Sequence, residues 1–99
     1  MGGVGAANQY DTVLSASQTN TNVSFGFTAT KVILINAGPN SVRLNFQSRT
    51  ATTSNFELKI GETLSLSVDK DQETGWTGFG AICASGETAS VRVMAQEAF

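Results

Sequence analysis

Hydrophobic and polar residues alternate along most of the chain. Val23, Phe25 and Phe27 are separated by Ser24 and Gly26, and Val42, Leu44 and Phe46 by Arg43 and Asn45. Phe56, Leu58 and Ile60 flank Glu57 and Lys59, and Leu64, Leu66 and Val68 flank Ser65 and Ser67. Near the end Val91, Val93 and Ala95 alternate with Arg92 and Met94. Successive side chains of a strand point to opposite faces, so each run predicts a half-buried strand with one apolar side. Lys31 to Asn36 differs, because Val32, Ile33, Leu34 and Ile35 are continuous. That run predicts a central strand covered on both sides.

Turn residues fall between the runs. Gly38-Pro39-Asn40 breaks the chain after Asn36, and Gly61-Glu62 and Ser85-Gly86-Glu87 sit where hairpin turns are needed. Gln18 to Asn22 and Ser48 to Ser54 are polar loops. No stretch holds a 3.6-residue period for a helix of useful length, and only Asp69 to Glu73 allows a short helical turn. Met1 to Gln9 is small, Gly-rich and aperiodic, which predicts a flexible arm over residues 1–9 ahead of a domain over residues 10–99. Seven or eight short antiparallel strands at roughly ten-residue spacing predict a single all-β sandwich. A jelly-roll-like arrangement is the first expectation and an immunoglobulin-like one the second. Size scaling gives a radius of gyration of roughly 13 Å.

Composition then removes whole classes of chemistry. A chain of 99 residues holds one core. Without His there is no His general base, no Ser or Cys triad of the usual kind and no His-ligated metal. A lone Cys83 excludes an intrachain disulfide and a cysteine zinc cluster. A net charge of −2 argues against nucleic acid as a partner, because phosphate binding needs clustered Lys and Arg. No apolar run is long enough to cross a membrane as a helix, and no basic start followed by an apolar stretch marks a secretory signal. Gly2 fits a myristoylation signal, but Ala6 stands where Ser or Thr is required. No membrane contact, cofactor or metal is expected.

Few segments invite a chemical role. Asp69, Asp71 and Glu73 have the spacing of a calcium loop, but Thr74 and Gly80 occupy the positions that need Gly and Glu. Nothing marks two of the eight acids as a glycosidase pair, and so small a sandwich has little room for a deep cleft. Cys83 lies in an apolar strand and reads as a buried thiol. Asn22-Val23-Ser24 has the form of a glycosylation sequon, with no evident route to its use. Arg43, Arg49 and Arg92 are scattered and suit surface pairing. Gly75-Trp76-Thr77-Gly78-Phe79-Gly80 is the most suggestive stretch, since it sets the single Trp beside Phe79 among glycines. Trp76 and Phe79 either close the core or anchor an interface, where aromatic residues are enriched. With Tyr10 they also suggest a stacking platform for a sugar, as in a carbohydrate-binding module. The terminal Phe99 either folds back or docks on a neighbour.

The outward positions are neutral and short, as at Ser24, Asn45, Ser65, Ser67 and Ser90. Only 14% of residues are charged, while Ser, Thr, Asn and Gln number 34. Charged guards against edge pairing are therefore sparse. Two readings stay open: an ordinary hydroxyl-rich surface, or faces and edges covered by copies of the same chain.

The chain also resembles a known group. It contains a continuous apolar strand ending in Asn36, a Leu58-Lys59-Ile60-Gly61-Glu62-Thr63-Leu64 hairpin, and a closing Ser85-Gly86-Glu87-Thr88-Ala89-Ser90-Val91-Arg92-Val93 hairpin. This layout resembles small β-sandwich structural proteins of tailed bacteriophages, particularly those that decorate or cement the capsid. The likeness runs from Thr30 to Ala95, about two thirds of the chain. It implies a virion protein without enzymatic activity, a homotrimer on the head surface, assembled in the host cytoplasm. The implied partners are the major capsid protein and further copies of the chain. A tail, baseplate or head-fibre component is the neighbouring alternative.

Overall fold

The computed structural model describes residues 6–68 and 75–98. It contains eight strands: β1 (Ala6–Ala16), β2 (Thr21–Ala29), β3 (Lys31–Pro39), β4 (Val42–Asn45), β5 (Phe56–Leu58), β6 (Thr63–Ser67), β7 (Trp76–Ile82) and β8 (Ala89–Ala98). They form two four-stranded antiparallel sheets, ordered β1-β8-β3-β6 and β2-β7-β4-β5. The pairs β1–β8, β2–β7, β3–β6 and β4–β5 nest inside one another, as if one long hairpin had been rolled up. That order is the jelly roll, the first of the two sandwiches expected. The radius of gyration is 13.5 Å.

The alternation places one row from each strand between the sheets. Leu14 of β1, Val91 and Val93 of β8, and Val32 and Leu34 of β3 face Val23 and Phe25 of β2, Phe79 and Ala81 of β7, Val42 and Leu44 of β4, and Leu58 of β5. Phe79, Leu34, Leu58, Val32, Val42 and Val91 are fully buried. Each such side chain contributes roughly 1.5–3 kcal/mol by leaving water. An aromatic chain runs through this core. Tyr10 lies 5.4 Å from Phe25, Phe25 lies 6.0 Å from Phe79, and Phe79 stacks on Phe46 at 4.9 Å.

One polar side chain is buried with them. Asn36 has no exposed surface, and every polar atom of its amide is used. Its Nδ2 donates to the carbonyls of Leu58 and Asn40, both at 2.9 Å, and its Oδ1 accepts from the Gly38 N–H at 2.8 Å. Its backbone N–H donates to the Glu62 carbonyl, and its carbonyl accepts from the Gly61 N–H at 2.7 Å. Gly61 supplies the positive φ of +80° at this turn. β5 and β6 lie in different sheets, as do β7 and β8, so Gly61-Glu62 and Ser85-Gly86-Glu87 do not close the hairpins expected; each carries the chain from one sheet to the other. The Glu62 carboxylate closes the turn by accepting from the Lys59 N–H at 2.7 Å. The motif of an apolar strand ending in Asn and a Gly-Glu turn is thus one junction. It joins β3 of one sheet to the β5–β6 connection arising from the other.

Two further expectations need correction. Residues Ala6 to Gln9 belong to β1, where they pair with β8 from Gln96 to Ala98, so the arm does not reach Gln9. Met1 to Gly5 lie outside the described residues. The second correction concerns β3, which is covered on one side only. Val32, Leu34 and Asn36 point inward, while Ile33 is half-buried and Ile35 is 39% exposed on the opposite face.

Candidate functional site

The two sheets treat their outer faces differently. Over β4, β7 and β2 the chain lays its own loop. Residues 46–51 cross this face, with Arg49 and Ala51 directly above Gly80. A Cβ on Gly80 would meet the Arg49 carbonyl oxygen at 2.5 Å and the Ala51 nitrogen at 2.8 Å. Asn20 clamps the strap, donating to the Arg49 carbonyl at 3.0 Å and accepting from the Ala51 N–H at 2.7 Å. Asn45 fastens the other side by donating to the Thr50 carbonyl at 3.0 Å. The Arg49 guanidinium lies over Gly78 and donates to Thr77 Oγ1 at 3.0 Å and to Asn22 Oδ1 at 3.4 Å. Ala51, at the end of the strap, is itself buried. Gly78 and Gly80 are therefore needed for close approach of this loop.

The outer face of β1-β8-β3-β6 has no such cover among the described residues. Register places Asp11, Met94, Ile33 and Ser65 side by side across the sheet, with Val13, Arg92, Ile35 and Thr63 in the next outward row. Val13 is 57% exposed, Met94 40% and Ile35 39%. Together with Asp11 and Arg92 these three line a shallow depression of about 430 Å³ on the sheet face, and Ile33 lies beside Met94 at its edge. The other exposed large apolar residues, Phe56 and Ile60, lie apart on edge strand β5 and the turn after it. Asp11 accepts a hydrogen bond from Gln9 Nε2 at 3.1 Å. Neither Asp11 nor Arg92 takes part in an ion pair among the described residues. Arg43, by contrast, pairs with Glu57 at 3.6 Å.

The residues singled out from the sequence mostly go elsewhere. Phe79 is completely buried, so it serves the core and cannot present a ring to a partner or a sugar. Tyr10 is half-buried against Phe25, and Trp76 is half-buried against the same core. The three do not form an exposed stacking platform, and the carbohydrate-binding arrangement is not built. Phe99 and the acidic segment from Asp69 to Glu73 lie outside the described residues. Cys83 is 1% exposed, and desolvation by burial, followed by the charge of Glu87, pushes its pKa above the ordinary 9.0. That is a poor nucleophile at neutral pH. Among the described residues no three His, Cys, Asp or Glu side chains gather into a metal site. The apolar outer face escaped sequence reasoning. Its one signal was the unbroken Val32–Ile35 run, which was assigned to a doubly covered strand.

Comparisons with family models, with curated protein sequences and with solved structures give no match to the chain.

Proposed function

We propose that the protein is a non-enzymatic structural component of a virion, which decorates or cements the capsid of a tailed bacteriophage. The observation that carries this reading is the exposed apolar centre of Val13, Ile33, Ile35 and Met94 on an otherwise completed jelly roll. An exposed apolar patch on a small soluble body marks an interaction surface. The resemblance of the apolar strand and the two turn motifs to capsid-decorating proteins suggests the class of particle, and jelly rolls recur in capsid proteins. The mechanism is mechanical. A stiff sandwich presents a preformed assembly face, and copies joined through it gain avidity on one shell without any single large interface. Subunit boundaries bridged in this way need more energy to part.

The test uses heads assembled without this protein. Added chain is expected to co-sediment with them and to raise the temperature at which they rupture. Val13→Lys with Met94→Lys is expected to lose much of that effect while remaining folded. Binding to tails alone would move the protein to the tail, and binding to neither would overturn the reading.

A further inference from the structure

We infer that the outer face of β1-β8-β3-β6 receives a second copy of this chain across a two-fold axis lying in that face. The inference rests on reading the face as an assembly surface, and it names what covers it. The argument is one of charge placement. In the sheet grid, Val13 and Met94 form a diagonal stripe from β1 to β8, with Ile33 beside Met94 in the same row. Asp11 lies on one side of the stripe, and Arg92 lies on the other with Ile35. Neighbouring strands are about 4.8 Å apart and alternate residues about 6.8 Å apart, so Asp11 and Arg92 stand at nearly equal distances from this line.

A two-fold axis along the stripe has two consequences together. It stacks Val13 and Met94 on the same residues of the second copy. It also sets each Asp11 opposite the other copy's Arg92, twice per dimer. The strands of the two sheets then cross at about 70°, near the orthogonal class of sheet packing. An isologous interface requires such self-complementarity, because one patch must satisfy itself. A face meant for an unrelated partner has no need to balance its charges about its own apolar line. The pairing also gives the charges a partner. Arg92 is exposed and makes no ion pair within the described chain, although the chain pairs Arg43 and anchors Arg49.

The experiment is sedimentation of the purified chain, without capsids, from micromolar to millimolar concentration. The wild type is expected to show a concentration-dependent monomer–dimer equilibrium. Arg92→Asp alone places acid against acid at both contacts, and Asp11→Arg alone places base against base. Each is expected to weaken dimerisation about tenfold or more. Mixing these two variants is expected to give a heterodimer, and the double exchange Asp11→Arg with Arg92→Asp to restore the homodimer. Near-wild-type melting of the single variants separates lost association from lost folding. A wild type that stays monomeric throughout, or a dimer indifferent to both reversals, overturns the inference. A monomer that still binds capsids overturns it while leaving the capsid reading intact. A dimer that binds no particle does the reverse.

Discussion

The outer faces of the two sheets invite direct comparison. On the β2-β7-β4-β5 side, the chain folds residues 46–51 over its own sheet, removes side chains at Gly78 and Gly80 to admit them, and fastens them with Asn20 and Asn45. On the β1-β8-β3-β6 side, Val13, Ile33, Ile35 and Met94 remain open to water. The first face is finished by folding. The second is left open by folding and is the face proposed to meet a partner. Substitutions on the two faces should therefore fail in different ways, the first in stability and the second in association.

The largest effect is expected at the core and its junction. Phe79→Ala removes the ring that links Phe25 to Phe46 and should cost about 3–5 kcal/mol in urea unfolding. Asn36→Leu leaves the Leu58 and Asn40 carbonyls and the Gly38 N–H without its amide. It should cost about 3 kcal/mol, a large part of a small domain's stability. Loss of a few tenths only would mean that the buried amide is not what holds this end of the sandwich.

Next comes the covered face. Gly80→Ala drives a methyl group into backbone atoms of Arg49 and Ala51, which a side-chain rotation cannot relieve. The strap must lift, at about 2–3 kcal/mol by thermal unfolding, with no change in association. On the open face the signs exchange. Ile35→Thr or Met94→Thr should alter stability of the monomer by about 0.5 kcal/mol or less and should weaken self-association in sedimentation. If Gly80→Ala were harmless and Ile35→Thr unfolded the monomer, the contrast between the faces would be wrong.

The smallest effect concerns pH. Burial raises the Cys83 pKa, so the folded state holds its thiol proton to higher pH than the unfolded chain. The contribution is fully present below the unfolded value of 9.0 and is lost as pH rises from there through the folded pKa. Cys83→Ala should remove that part of the alkaline destabilisation. Alkylation of Cys83 at neutral pH should be slow in the native protein and fast in urea. Rapid native labelling would show that the segment after β7, which carries it, opens readily.

The fold was largely legible because period-two patterning and turn chemistry are local signals. The runs around Val23, Val42, Leu64 and Val91 became strands with their apolar rows turned inward, whereas the run around Leu58 buries Leu58 alone and leaves Phe56 and Ile60 exposed. The rest depended on contacts distant in sequence. Gly78 and Gly80 looked like turn residues or a frame for aromatics. Their cause is a loop nearly thirty residues earlier that crosses them. Met1 to Gln9 looked unpatterned, yet its last residues find a partner strand at the other end of the chain. Val32 to Ile35 was ambiguous for a physical reason. A strand sandwiched by its own chain and a strand awaiting a partner carry the same apolar run. Candidate-site residues were chosen by type, and aromatic type favours the core as well as interfaces. Phe79 and Tyr10 went to the core, while the exposed patch is aliphatic.

The open face is the proposed meeting point of this chain with its neighbour. Methyl NMR of the isolated protein across a dilution series tests it most directly. The resonances of Val13, Ile33, Ile35 and Met94 should shift together with concentration, while those of Val42 and Leu58 stay fixed. Shifts confined to the strap at residues 46–51, or spectra that do not change from dilute to concentrated solution, would contradict it.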